Sequence, residues 1–225
     1  MDKALTKRIV NETSIKQADY LCFKKGDINL QLEEVKDYFA GRYPIFIKPA
    51  KGGSSVGISR VSSEEQIIEA LEEAYKYDHS IVIEEGIVGR EIEVAVQGYD
   101  YHNLTASNIG EIIVQDGFYS YASQYGDDEV GVVSAQTRII DDLDEQLVEV
   151  IKEDAKTVYS TLGCKGLSRV DFFLTPDNEV IFNEINTMPG FTKISMYPKL
   201  MEGIGINYKK LITKLIKEAI DNYDL

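Results

Sequence analysis

Two short stretches near the end of the chain carry the residue types that hold a hard cation. They are Arg169-Val170-Asp171 and Phe182-Asn183-Glu184-Ile185-Asn186, the latter running into Thr187-Met188-Pro189-Gly190. Magnesium takes carboxylate and amide oxygens at about 2.0–2.1 Å and is usually shared with substrate phosphates. Asp171, Glu184 and Asn186 are ligands of that kind. Glu184 and Asn186 stand two apart, so on an extended strand both emerge from one face. The competing reading is that these are solvated strand-edge residues. Their neighbours Val170, Phe172, Phe173, Val180, Ile181 and Phe182 weigh against it, because a carboxylate in apolar surroundings needs a metal or a cation as partner. The chemistry indicated is magnesium-assisted handling of a nucleotide.

A second candidate lies far upstream. Ile45-Phe46-Ile47 reads as a short buried strand feeding Lys48-Pro-Ala-Lys-Gly-Gly-Ser-Ser-Val-Gly57, with a return strand over 58–61. Gly52 and Gly53 allow close backbone approach, and Ser54 and Ser55 add hydroxyl donors, as a phosphate cradle would need. The loop is not a Walker A element, since the Gly-Lys-Ser/Thr ending and the following helix are missing. An ordinary hairpin turn explains the same residues equally well. Between two further strands, Glu84 to Glu91 could offer backbone groups to an adenine edge and a carboxylate to ribose hydroxyls; alone, it reads as a plain acidic turn.

The positioning elements follow from periodicity and caps. Helices are expected over 5–13, 29–40, 62–77, 142–161 and 208–223, with Ser63 and Gln66 at capping-box spacing. Strands are expected over 81–84, 91–96, 109–114, 167–174 and 179–185, the last two joined by Thr-Pro-Asp-Asn as a hairpin. Residues 117–135, rich in Tyr, Gly, Ser and Asp, read as a long loop of the sort that serves as a lid. Elements in this order give an α+β chain of two lobes, 1–84 and 85–225.

Composition removes several classes of function. No apolar run reaches the ~18 residues of a membrane span. The charged N-terminus lacks a signal-peptide core. Two cysteines in 225 residues make no disulfide framework, which suits a reducing cytoplasm. A net charge of −14 disfavours nucleic acid and anionic membranes as partners. His79, His102 and Cys164 have no partners at ligand or catalytic spacing, and no Gly-x-Ser-x-Gly or His-Glu-x-x-His motif is present.

Taken in order, the segments resemble the ATP-grasp family, and within it the D-alanine–D-alanine ligases with their D-Ala–D-Ser and D-Ala–D-lactate relatives. The matching residues are Met1-Asp2-Lys3, Lys48-Pro49, Gly53-Ser-Ser-Val-Gly57, Gly89-Arg90-Glu91, Phe118-Tyr119 through Tyr125, and Gly166-Leu-Ser-Arg169-Val-Asp171. Asn183-Glu184-Ile-Asn186-Thr-Met-Pro-Gly-Phe-Thr192 and Ser195-Met196-Tyr-Pro198 complete the set. The resemblance implies an ATP-grasp fold, two α+β lobes with the nucleotide between them. It places Lys3 and Lys48 on ATP phosphates, Ile87 on adenine and Glu91 on ribose, with Ser55 and Glu84 also among the ATP contacts. It implies two Mg²⁺ ions (or Mn²⁺) on Asp171, Glu184 and Asn186. Arg169 and the Gly190 backbone would hold the oxyanion, Ser195 and Met196 the acceptor's carboxylate, and Ser54 and Tyr125 would close the lid. The activity implied is ATP-dependent ligation of two D-alanines through an acyl phosphate, for peptidoglycan precursors.

The chain also departs from that pattern. It begins at the Met-Asp-Lys that opens the family's central domain, so the expectation is that the N-terminal ligase domain is absent. A homodimer, or that domain supplied in trans, is the implied partner. In the lid, Gln124 stands where the family often has lysine. Tyr125 and Met196 favour D-alanine as acceptor over D-lactate or D-serine. A D-Ala–D-Ser ligase relative and a catalytically inactive ATP-binding module are the alternatives.

Overall fold

The structure, a computed structural model, describes residues 1–113, 136–192 and 195–223. The chain forms two compact units. Of the described residues, the first comprises 1–8 and 17–88; the second comprises 9–16, 89–113, 136–192 and 195–223.

The first unit is built on a four-stranded antiparallel sheet in the order β1-β4-β2-β3, with β1 Tyr20–Lys24, β2 Ile45–Pro49, β3 Ser59–Val61 and β4 Ser80–Glu85. Alternation along β2 and β4 sends Ile45, Ile47, Ile81 and Ile83 to one face. There α2 (Ile28–Phe39) and α3 (Ile67–Ala74) cover them with Val35, Phe39, Ile67 and Leu71. The opposite face carries Val82, Ala50 and the half-buried Tyr20 and Cys22, packed against Ala4 of α1 (Lys3–Val10). Asp27 caps α2 by accepting from the Asn29 and Leu30 N–H groups, at 2.9 and 3.4 Å.

The second unit holds a five-stranded antiparallel sheet, β7-β6-β5-β8-β9, with β5 Arg90–Gly98, β6 Thr105–Ile113, β7 Gln136–Ile139, β8 Gly166–Leu174 and β9 Val180–Asn186. One face is apolar: Ile92, Val94, Val96, Val170, Phe172 and Phe182 bury against α4 (Glu145–Thr161), joined by Val10 and Ile15. Across part of the other face, Ala95 and Leu167 meet α5 (Met196–Glu202) and α6 (Tyr208–Asp221) through Met196, Leu200 and Leu211. Gly89, entering β5, lies so near the end of β8 that a Cβ there would stand 2.6 Å from the Leu174 carbonyl oxygen. Only glycine fits.

Most elements fall where periodicity put them, within a few residues at each end. Four differences have physical causes. Strand β1 was not expected, because Tyr-Leu-Cys-Phe-Lys lacks alternation; it is an edge strand paired only with β4. Helix α5 was not expected either, because it is short and contains Pro198. That proline lies in the first turn, where its missing N–H would have had no helical partner. The 62–77 segment is a 3₁₀ turn (Glu64–Gln66) followed by α3. Its capping box is also shifted: Ser63 makes no side-chain cap, and the Gln66 carboxamide accepts from the Ser62 N–H at 2.7 Å. Helix α4 opens at Asp144, not Asp142, with the Asp144 carboxylate accepting from the Gln146 N–H at 2.8 Å. The loop expected as a lid, with Gln124 and Tyr125, lies outside the described residues.

Candidate functional site

In the second unit the candidate ligands stand in a row across three strands. Pairing sets Glu93 of β5 opposite Asp171 of β8, and Asp171 opposite Glu184 of β9. Arg169 and Asn186, opposite one another, stand two residues along on the same face. A bulge makes this possible. Asp171 pairs with Glu184 but Phe172 pairs with Phe182, so Asn183 is the extra residue on β9. Phe182 and Ile185 can therefore both reach the core while Glu184 and Asn186 share the polar face.

Arg169 ties the row together. Its Nε and Nη2 donate to Asp171 Oδ1 and Oδ2, both at 2.8 Å, a bidentate pair. Asn186 Nδ2 donates to Asp171 Oδ2 at 2.8 Å and to Glu184 Oε1 at 3.4 Å. Arg169 Nε also lies 3.0 Å from Glu93 Oε1. That N–H is directed at Asp171, so Glu93 receives charge but no hydrogen bond, and both of its buried oxygens lack a donor. Burial first, and then the Asp171 charge, push the Glu93 carboxyl above its ordinary range. Burial likewise raises Asp171, against the opposing pull of Arg169.

Glu93 was missed at the sequence level. Its signal was present, a carboxylate inside the apolar run Ile92, Val94, Ala95, Val96. What was missing was the β5–β8 pairing that brings it beside Asp171.

Three carboxylates face one guanidinium, and Glu93 retains unused acceptors at no exposure to water. Asp171 accepts three hydrogen bonds of the roughly four its lone pairs allow. Among the described residues no three His, Cys, Asp or Glu side chains already stand in metal-holding geometry. Asp171 is engaged by Arg169 and Asn186, so a cation would compete with those donors. Arg169 has five N–H groups, of which two are committed by these bonds.

Because its raised value makes charged Glu93 a cost of folding, a stability effect follows. A carboxyl raised on folding adds stability below its unfolded value, and that stability is lost as pH climbs through the folded one. Glu93→Gln is therefore expected to stabilise the chain by about 1–3 kcal/mol above neutrality. The gain should vanish near pH 4, as read by thermal melts across pH.

In the first unit, Lys3 opens α1 and its Nζ donates to the Gly52 carbonyl at 2.9 Å, while its backbone N–H donates to Ala50 O at 2.8 Å. The glycine-rich loop is thereby tied to the helix start. Ser54 and Ser55 both sit in the left-handed region, at φ 53° and 58°. Two successive non-glycine residues there cost about 1–3 kcal/mol each. Lys48, on β2, is paired with Glu84 Oε2 of β4. The other Glu84 oxygen receives Lys7 Nζ at 2.6 Å, and all three side chains are largely buried. Lys7 was not singled out from sequence, where it reads as one more helix lysine. Burial and then the Lys48 charge pull its ammonium down to about 7; the carboxylate at 2.6 Å opposes that pull. The ion-pair geometry is decisive, since a carboxylate as buried as Glu84 holds its charge only beside cations. Ile87 is half-buried in the 86–89 connection, and Glu91 is half-buried on β5.

The remaining expected residues lie beyond β9. Gly190 is exposed, and a Cβ on it would stand 2.9 Å from Ser195 Oγ. Ser195 Oγ accepts from the Thr192 N–H at 3.0 Å and lies 2.9 Å from Thr192 Oγ1, closing that turn before α5. Met196 is buried against Gly110, where an added Cβ would fall 2.3 Å from its Cε.

A family model described as "D-ala D-ala ligase C-terminus" matches residues 9–217. The chain is 46% identical over its whole length to a D-alanine–D-alanine ligase of Shouchella clausii, and 43% identical over 99% of its length to D-alanine–D-alanine ligase A of Escherichia coli K12. It spans 59% of each of those relatives. Among solved structures, the VanG D-Ala:D-Ser ligase of Enterococcus faecalis matches 97% of this chain and 61% of its own, with a TM-score of 0.86 at 35% identity. The D-alanine–D-alanine ligase of Coxiella burnetii matches 100% of this chain and 57% of its own, at 0.84 and 35%. The α+β, ATP-grasp assignment stands. The chain belongs to the D-Ala–D-Ala ligase C-terminal family.

Proposed function

We propose that this chain carries the ATP- and magnesium-binding machinery of a D-alanine–D-alanine ligase, joining two D-alanines for peptidoglycan precursors. The observation that carries the reading is the Glu93–Asp171–Glu184 row with its single guanidinium, in a chain of this family. A carboxylate is a poor acyl donor. Transfer of the γ-phosphoryl of ATP to the first D-alanine's carboxylate oxygen, releasing ADP, makes an acyl phosphate. The second D-alanine's amine then attacks the carbonyl carbon, and phosphate leaves.

Lys3 and Lys48 would neutralise the nucleotide phosphates. Asp171, Glu184 and Asn186 would hold Mg²⁺ (or Mn²⁺), which when bound would spread the charge of the transferring phosphoryl group. Arg169, with N–H donors beyond the two given to Asp171, and the Gly190 N–H would hold the oxyanion, about 3–4 kcal/mol for each such donor. Ser55, Glu84, Ile87 and Glu91 would contact the adenosine and phosphate moieties, Ser54 and Tyr125 would complete closure, and Ser195 and Met196 would seat the acceptor. Among the described residues no helix is long and apolar enough to cross a membrane; the proposed small-molecule substrates would be met in the cytoplasm.

A D-serine acceptor is the second reading, supported by the likeness to VanG. The deciding experiment measures phosphate release from Mg-ATP with D-alanine, D-serine or neither. The reading requires stimulation by D-alanine in the chain alone or joined by the remaining segment of a relative. Tight Mg-ATP binding with no stimulated turnover in either format would make the chain a nucleotide-binding module instead.

A further inference from the structure

We propose that Lys7 is a positioning residue: it retains the Glu84 carboxylate so that the Lys48 ammonium can turn from Glu84 to a nucleotide phosphate. The inference rests on the ATP-binding reading above and adds a residue that reading does not use.

Glu84 is shared by two lysines, one on each oxygen. On the sheet, Lys48 pairs with Val82 and Phe46 with Glu84, so Lys48 and Glu84 are diagonal neighbours on adjacent strands of one face. Lys7 arrives from α1, which Ala4 seats on Ala50 and Val82. Its backbone carbonyl accepts from Gln17 Nε2 at 3.1 Å, and its ammonium lies 5.1 Å above the Tyr20 ring.

The two cations differ in exposure. The Lys7 side chain is 2% exposed and that of Lys48 is 12%. Lys7 is enclosed, with backbone and ring contacts of its own; Lys48 borders the glycine-rich loop, and the ATP-binding reading turns that lysine toward an arriving phosphate. If Glu84 had Lys48 alone, that swing would strand a buried carboxylate, which is strongly unfavourable. With Lys7 in place the carboxylate keeps a cation throughout. Lys7 thus lowers the cost of releasing Lys48 without touching the nucleotide.

The test is a double-mutant cycle on the 225-residue chain, reading equilibrium binding of Mg–AMP-PNP and of adenosine. Lys7→Met is expected to weaken AMP-PNP about tenfold and to leave adenosine within about twofold. Adding Glu84→Gln to Lys7→Met should return AMP-PNP affinity to that of Glu84→Gln alone, within about threefold, because no buried charge is then left at position 84 for Lys7 to neutralise. Equal losses for both ligands would reduce Lys7 to a structural role. So would a double variant that binds AMP-PNP clearly more weakly than Glu84→Gln alone, and this comparison decides the matter even if Lys7→Met does not fold. A wild-type chain that binds neither ligand would overturn the ATP-binding reading itself, and Lys7's role with it.

Discussion

Arg169→Ala should destabilise the chain by about 3–5 kcal/mol, the range for removing one partner of a buried ion pair. It should also lower any D-alanine-stimulated ATP turnover by about 10²–10³. Both effects arise from one guanidinium. Asp171 is buried and takes two hydrogen bonds from it; Glu93 is buried and has no other cation within ion-pair distance among the described residues. Without Arg169, protons must replace it. Both carboxyls are already raised by burial, so the damage should shrink as pH falls and they take up protons. Chemical denaturation at pH 5 and pH 8 would reveal this; equal losses at both would mean that Arg169 is not neutralising the pair. Arg169→Lys should recover part of the stability and little of the turnover, since an ammonium cannot form the planar two-point contact.

The second large effect is expected to split stability from function. Glu184→Gln removes a carboxylate whose charge raises the proton affinity of both Glu93 and Asp171. The melting temperature should hold or rise slightly. Divalent-ion affinity, read by Mn²⁺ titration in the presence of AMP-PNP, should fall at least 10–100-fold, the loss seen even for residues that only support a metal ligand. A variant with unchanged Mn²⁺ affinity would remove Glu184 from the metal site. A variant that lost stability along with affinity would make Glu184 a structural residue.

Much of this was legible in the chain. The apolar neighbours of Asp171 and Glu184 marked these carboxylates out, and the two-residue spacing of Glu184 with Asn186 put that pair on one face. The glycine-rich stretch after β2 was also recognisable, and the structure adds the left-handed Ser54 and Ser55. What escaped was of a different kind. Nothing local to Glu93 says that β5 will lie beside β8. Nothing local to Lys7 says that the helix turn carrying it will sit over Glu84. The edge strand β1 and the seven-residue α5 were missed because short elements owe their form to the sheet and helices they pack on.

The sequence by itself determined the residue types of the site, their order and the α+β character of the chain, because period, caps and turns are properties of neighbours along the backbone. Only the tertiary structure decided which charges meet. It gave Arg169 two buried carboxylates and gave Glu84 two lysines. Strand pairing and helix packing join residues many positions apart, and there the cost of burying a charge must be met by a partner that local spacing cannot name.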